Sequence, residues 1–458
     1  MDLMSKEAKQ ESTKGFEIDE TKPYAELWMG THPSGPAIIC TDEGEIPLLE
    51  FLRKNPHYIG SVPGDYPSDD LPFMFKVLSI KSALSIQAHP DRKLAQKLHA
   101  EFPDVYKDGN HKPEMAIALT EFEGMNGFRP VIEIKNHFLR YPELAKICGE
   151  TAAAAINVLA PDDGEYVWKD EVFSSSGLGS IRCNANSDYG VRGSAEWGAL
   201  RDMVKHLLDF PADEGAELLA SLVARLEKER EEATARERDL PYIKDLILRL
   251  NAQYPGDRGI LFPLLLNTVH MRPGQSFYMG ANEPHAYIYG DILECMALSD
   301  NVVRVGLTPK FKDKETMYHM LHYHSCNVNF LKDIRVDPCT YVYRPPIASC
   351  AEFEIERVVI PREYTYSLLC HSCGSICIFL EGSGSASDTI LRYEGNGLRA
   401  ETEAVPAYGA STFMAAGVTL TVTTKSMGLE LYRAHVNLGD VGRSRVSSAN
   451  DLLGLVGE

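Results

Sequence analysis

Gln87 and His89 in LSIQAHPDR, Glu114 in GNHKPEMAIAL and His285 in GANEPHAYIYGD are the residues whose types could together hold a divalent metal ion. A strand register puts Ser85, Gln87 and His89 on one face, because alternate side chains point the same way, and Pro90 ends that strand. Lys112 and Glu114 are again two apart, ahead of the apolar run MAIAL, so a buried strand end would carry both charges. His285 stands at a loop-to-strand entry, after a proline and before Tyr287 and Tyr289. An amide oxygen, two imidazoles and a carboxylate suit a borderline ion such as Zn²⁺, with a coordination position open to water or substrate. A lone anionic ligand leaves the site positive, which keeps the ion a strong Lewis acid towards a carbonyl or hydroxyl oxygen.

Other charged residues have two readings each. Glu294 interrupts the apolar run DILECMAL, either facing solvent from an edge strand or serving as a buried acid-base group. Arg304 and Lys310 in NVVRVGLTPKFK are surface charges or ligands for an anion. Lys76 in PFMFKVLSI either reaches the rim of its sheet or points inward. Two groupings have ordinary readings. Cys370, His371, Cys373 and Cys377 in CHSCGSIC superficially suggest a second metal site, but without a matching pair of cysteines they read as reduced, buried thiols. His319, His322 and His324 in MYHMLHYHS lack a carboxylate partner nearby in sequence and read as helix or loop histidines.

The elements that must position these residues follow from periodicity. Pro72 to Pro90 alternates apolar and polar residues and fits two strands. Leu218, Leu219, Leu222, Val223 and Leu226 recur at helical spacing, the mixed charges of EKEREEATARERD read as a solvated helix face or connection, and YIKDLILRLNAQ forms another helix that ends at Tyr254-Pro255-Gly256. AEFEIERVVIP, SICIFLEGSGS and TLTVTTK are further strands, and residues 382–402 read as a surface loop. The expected partition is a polar lead-in at 1–22, a β segment at 23–130, a helical insertion at 131–255, a second β segment at 256–336 completing the first domain, a further β domain at 337–440, and a tail at 441–458.

Composition bounds the function. Lys and Arg number 46 against 65 Asp and Glu, a formal charge of −19, which argues against an electrostatic nucleic-acid binder. The chain is 44% apolar and 24% charged, as soluble domains are. No apolar stretch reaches bilayer length, and no secretory leader, dinucleotide-binding glycine pattern or P-loop is evident. Ten scattered cysteines are too sparse for a disulfide scaffold, so a cytoplasmic chain with reduced thiols and no membrane partner is expected.

YAELWMGTHPSGPA, SIQAHPDR, DGNHKPEMAIAL, PGDRGILFPLLLN, GANEPHAYI and LECMALSDNVVRVGLTPKF, in this order over about residues 23–313, closely resemble the signature blocks of type I mannose-6-phosphate isomerases. The resemblance implies a zinc-dependent aldose-ketose isomerase working on a sugar phosphate through an enediolate, monomeric, with one Zn²⁺ on Gln87, His89, Glu114 and His285. It implies a mainly β fold of two cupin-like jelly-roll barrels with an inserted helical domain. Arg304 matches the family's active-site arginine, and Glu294, Lys112 and Lys76 are the candidate proton carriers and catalytic cations. Ser85, His111, Tyr287, Asp300 and Lys310 are expected to contact substrate. Two departures stand out: the family's opening Tyr-Ala-Trp-Gly-like strand is not found ahead of Tyr24, so an edge strand is expected to be missing, and Val305 stands where alanine is common, adding bulk beside Arg304. The rival reading is a non-catalytic bicupin that binds a sugar phosphate. An iron oxygenase fits less well, because Gln87 is an odd addition to a facial triad.

Overall fold

The computed structural model describes residues 24–444 apart from 42–43, 65, 161–191, 237–238, 326–327, 382–388, 397, 403–408 and 440–442. The lead-in expected at 1–22 and nearly all of the tail lie outside the described residues. A ten-stranded sheet carries the first β domain, and its main path runs Glu26–Met29, Phe73–Ile80, His285–Ala297, Glu114–Ala118, Ser276–Met279, Phe330–Leu331. Strands from both sides of the helical insertion are neighbours here, so the insertion leaves the β domain through one connection and returns through another. The edge beside Phe73–Ile80 is filled by Glu26–Met29, whose Trp28 stands opposite Lys76.

The second β domain has a six-stranded sheet and a four-stranded sheet. The two expected barrels are therefore seen as a mainly β architecture with a helical insertion, in which the described sheets stay open. Alternation explains the layering. On the Phe73–Ile80 strand, Phe73, Phe75 and Val77 pack with Tyr343, Ile355 and Tyr432 of the six-stranded sheet. Leu78 and Ile80 join Ala116, Phe277, Met279 and Ile292 on the other face. The six-stranded sheet is thus covered twice, because Val358, Phe379 and Leu431 pack on its far side with Leu420 and Val422 of the four-stranded sheet. Strands buried on both faces have little room for polar residues, so each buried charge there needs a partner.

The helical insertion follows the expected spacing. Leu219, Leu222 and Leu226 on the helix Ala212–Thr234 are buried, and the helix Tyr242–Gln253 contributes Ile243, Leu246, Ile247 and Leu250 to the same core. EKEREEAT continues the first of these helices. Within 382–402 the expected loop is corrected: Thr389–Gly395 and Leu398–Thr402 are paired strands, while 382–388 fall outside the described residues.

Candidate metal centre and active site

The site is assembled where the strand His285–Ala297 changes partners. At its start His285 stands opposite Gln87 and Asn126. Past a register shift between Tyr287 and Tyr289, the strand pairs with Phe73–Ile80 and Glu114–Ala118. Gly290 sits at this change with φ +110°, and a Cβ there would lie 2.4 Å from the Glu121 carbonyl oxygen, so a side chain is excluded. One strand therefore delivers both His285 and Glu294. Glu294 stands opposite Lys76 and Ala116, Glu114 shares the face of Ala116 two residues away, and Arg304 stands opposite Gln87.

His89 Nε2 lies 3.3 Å from one oxygen of Glu114 and His285 Nε2 lies 3.3 Å from the other. All three residues are 1% exposed. The rings are held from behind: His89 Nδ1 donates to the Asn301 carbonyl at 2.7 Å and His285 Nδ1 to the Glu283 carbonyl at 2.9 Å, which turns each Nε2 towards Glu114. His89 Nε2 and Glu114 Oε2 are nevertheless buried without hydrogen-bond partners. Leaving such atoms unsatisfied costs about 1–3 kcal/mol each, and a cation among them would satisfy both. Ligands about 2.0–2.1 Å from a tetrahedral zinc are about 3.4 Å apart, which the observed spacing matches. Burial lowers the His89 imidazole to about 4, keeping it in the neutral form that a ligand requires. Burial also opposes ionisation of Glu114, but the surrounding imidazoles and Lys112 outweigh it and hold the carboxyl well below its usual range. Gln87 differs from expectation in one respect. Its Nε2 faces His285 Nε2 at 3.4 Å while its Oε1 accepts from Ser85 Oγ at 3.2 Å, so presenting an amide oxygen to a metal requires turning the amide over.

Beside this cluster lies a buried relay. Lys76 Nζ is 3.0 Å from Glu294 Oε2, and Tyr287 donates to Glu294 Oε1 at 2.8 Å. Glu294 thus points inward, and Lys76 does not reach the rim. Burial would lower Lys76, but Glu294, Glu26 and Glu114 raise it above its ordinary value, so it stays an ammonium. Burial and Glu294 push the Tyr287 phenol well up, which keeps it a donor. Lys112 Nζ lies 3.2 Å from Glu114 Oε1. Arg304 is half-buried, its pKa lowered by burial, and among the described residues its guanidinium has no hydrogen-bond or ion-pair partner.

Comparisons with known proteins place the chain in a family. Residues 3–131 match the family model "Phosphomannose isomerase type I, catalytic domain", and residues 183–266 match "Phosphomannose isomerase type I, helical insertion domain". The chain is 36% identical to mannose-6-phosphate isomerase 1 of Arabidopsis thaliana over 427 residues, covering 92% of this chain and 87% of that protein. It is 40% identical to mannose-6-phosphate isomerase of Cryptococcus neoformans over 382 residues, 81% of this chain and 83% of the relative. The chain belongs to the type I phosphomannose isomerase family. Its fold is shared with a zinc-bound mannose 6-phosphate isomerase structure at TM-score 0.67 and 24% identity, covering 92% of this chain and 93% of the other. A variant of the Salmonella typhimurium phosphomannose isomerase aligns at TM-score 0.67 and 25% identity, covering 93% and 94%.

Not every expected residue of this phosphomannose isomerase homologue joins the cluster. His111 is engaged elsewhere: its Nε2 lies 2.5 Å from Glu352 Oε1, which also receives bonds from Arg92 and Tyr66, so these residues tie the two β domains together. Asp300 is exposed and pairs with His32 at 3.2 Å. Lys310 is exposed in the loop after Val303–Gly306, with no side-chain partner among the described residues. Val305 does not crowd Arg304; with Val303 it points into the apolar core on the opposite side of the strand. His319 does have a carboxylate, Glu315 one helical turn away at 2.7 Å. With His322, His324, Lys93, Lys97 and Trp197 it borders a cavity of about 830 Å³ that includes none of the metal-candidate residues. Among the described residues Cys370, Cys373 and Cys377 are free thiols, with Cys373 and Cys377 buried and Cys370 partly exposed.

Reading by residue type missed the two carbonyls that orient the imidazoles, because a backbone group leaves no trace in side-chain identity. It also missed a second buried group, Glu356, His371 and His435. A signal existed in AEFEIER, where Glu352, Glu354 and Glu356 alternate along a strand whose Glu354 and Glu356 are 0% and 1% exposed.

No helix among the described residues is long and apolar enough to cross a membrane.

Proposed function

We propose that this chain interconverts mannose 6-phosphate and fructose 6-phosphate, moving a proton between C2 and C1 through an enediolate. The reading is carried by one observation: a buried His89–Glu114–His285 set with orphaned ligand atoms lies beside the Lys76–Glu294–Tyr287 relay and the unpartnered Arg304. Zinc would be held by His89, Glu114, His285 and, with its amide turned, Gln87, and when bound supplies a Lewis acid for the sugar oxygens. Glu294 is the group that takes the carbon-bound proton and returns it to the neighbouring carbon. Tyr287 and the adjacent Lys76 ammonium, each bonded to a different oxygen of Glu294, fix the direction of its carboxylate. Lys112 donates towards a sugar oxygen. Arg304, opposite Gln87 in register, is assigned to the developing enediolate, and the exposed Lys310 to the phosphate. Ser85 supports Gln87, whereas His111 and Asp300 act on the walls of the site through Glu352 and His32.

The two β domains are read as cupin-type sandwiches with the partition at 130/131, 255/256 and 336/337. A cytoplasmic monomer feeding GDP-mannose synthesis fits the composition and substrate. The test is a coupled isomerase assay on the purified chain with chelator and with zinc restored, beside metal analysis. Chelator-sensitive turnover recovered by zinc supports the reading; a folded, zinc-loaded chain without turnover would overturn it in favour of a sugar-phosphate-binding bicupin.

A further inference from the structure

We propose that the second β domain holds a metal site of its own, for a zinc-class divalent ion, formed by Glu356, His371 and His435. Their ligand atoms lie within 4.8 Å of one another, and the residues are 1%, 1% and 0% exposed. His371 Nε2 is 3.2 Å from Glu356 Oε1 and His435 Nε2 is 3.7 Å from the same oxygen, bracketing the spacing of about 3.4 Å between ligands of a tetrahedral zinc. His435 Nδ1 donates to the Val436 carbonyl at 2.8 Å, the same device that orients both imidazoles of the first cluster.

Both oxygens of Glu356, both nitrogens of His371 and His435 Nε2 are buried without a hydrogen-bond partner. An internal ion pair would explain the carboxylate only in part. Arg433, opposite Glu356 in register, keeps its Nη1 3.7 Å from Glu356 Oε2; its Nε donates to Ser375 Oγ and its Nη1 to the Leu369 carbonyl, while its Nη2 is buried without a hydrogen-bond partner. Neither contact uses the imidazole nitrogens, and so many unsatisfied polar atoms at one point are costly unless a cation is shared among them. The ligands reach one point by register: Glu356 and His435 lie on the same face of neighbouring strands, and His371 comes from the short strand Cys370–His371. Because Glu356, His371 and His435 are shut off from solvent, with the buried Arg433 and Glu354 as their charged neighbours, the site is structural.

The test is a zinc count on the full chain, stripped with chelator, reloaded with zinc and desalted. The expected result is about two zinc ions per chain, falling to about one in His371→Ala with isomerase activity within about twofold of the parent, and to about one in His285→Ala with activity lost. Should His371→Ala fail to fold, Glu356→Gln replaces it, and thermal melts in the His285→Ala background are compared: zinc raises the midpoint in that single variant and not in the double variant. About one zinc per chain, unchanged by His371→Ala or Glu356→Gln and removed by His285→Ala, would overturn the proposal and leave an ion network of Glu356, Arg433 and His435. Failure of the isomerase reading would alter turnover without altering the count, so the two proposals fail separately.

Discussion

The two β domains each bury a glutamate between two histidines, and in each an imidazole is aimed by an Nδ1–H bond to a backbone carbonyl. What surrounds them differs. The first cluster has Lys112 against its carboxylate, the Lys76–Glu294–Tyr287 relay alongside and Arg304 without a partner. The second is shut off from solvent, with Arg433, bonded to Ser375 and Leu369, beside its carboxylate and Glu354 3.8 Å from His435 Nδ1. A shared donor set therefore does not imply a shared job. Chemistry requires charges that a substrate can reach: Arg304 beside the first cluster is partly exposed, whereas Arg433 beside the second is fully buried.

The largest expected effect separates the clusters outright. His89→Ala or His285→Ala should cut isomerase turnover by at least roughly 10²–10³-fold with loss of the first zinc, since first-sphere ligands matter more than the outer partners whose removal costs about 10–100-fold. Loss of activity at unchanged metal content would break the ligand assignment. Arg304→Ala, by the enediolate assignment, should lower kcat by roughly 10²–10³-fold with little change in KM and full zinc content, the scale for a charge that acts in the transition state. An effect confined to KM would move Arg304 to the phosphate.

The joint between the domains has its own pH signature. Burial works against ionisation of Glu352, but the hydrogen bond and charge of His111, with Tyr66, hold it down at about 2 against an ordinary 4.5. A depressed carboxylate contributes stability that is fully present above about pH 4.5 and is lost as the pH falls towards 2, on the order of 3 kcal/mol over that window. Denaturation melts between pH 5 and 2.5 should show this loss, and Glu352→Gln should be less stable at pH 6 with a flatter acid limb. Identical acid limbs would sink the claim. The smallest effect is Tyr287→Phe, which removes one donor from Glu294 and should cost about 1–2 kcal/mol in kcat/KM, roughly tenfold, with the zinc retained. No change in its pH–rate profile would show that Tyr287 does not steer Glu294.

Much of the first site was legible because strand ends announce themselves. SIQAHP and HKPE place paired polar residues two apart at the mouth of an apolar run, and the alternation that puts them on one face is a local property. The two open readings of Glu294 and Lys76 resolved only through their mutual register, since each charge is tolerable inside because the other is opposite. The partner of His111 was hidden for the same reason. Its neighbours in sequence belong to the site, but its side chain meets Glu352, which is 241 positions away. CHSCGSIC looked incomplete because its complement consists of Glu356 and His435 on separate strands rather than further cysteines nearby.

The sequence by itself determined the residue types able to bind a metal and a phosphorylated sugar, the order of β and helical blocks, and the family. These follow from composition, from periods of two and 3.6, and from short contiguous motifs. The tertiary structure alone decided which charges face one another, which histidines are tied to carbonyls, and that the described sheets stay open. Those outcomes depend on register between distant strands, set by a shift at Tyr287–Tyr289, a glycine with no room for a Cβ, and apolar packing on both faces of shared sheets.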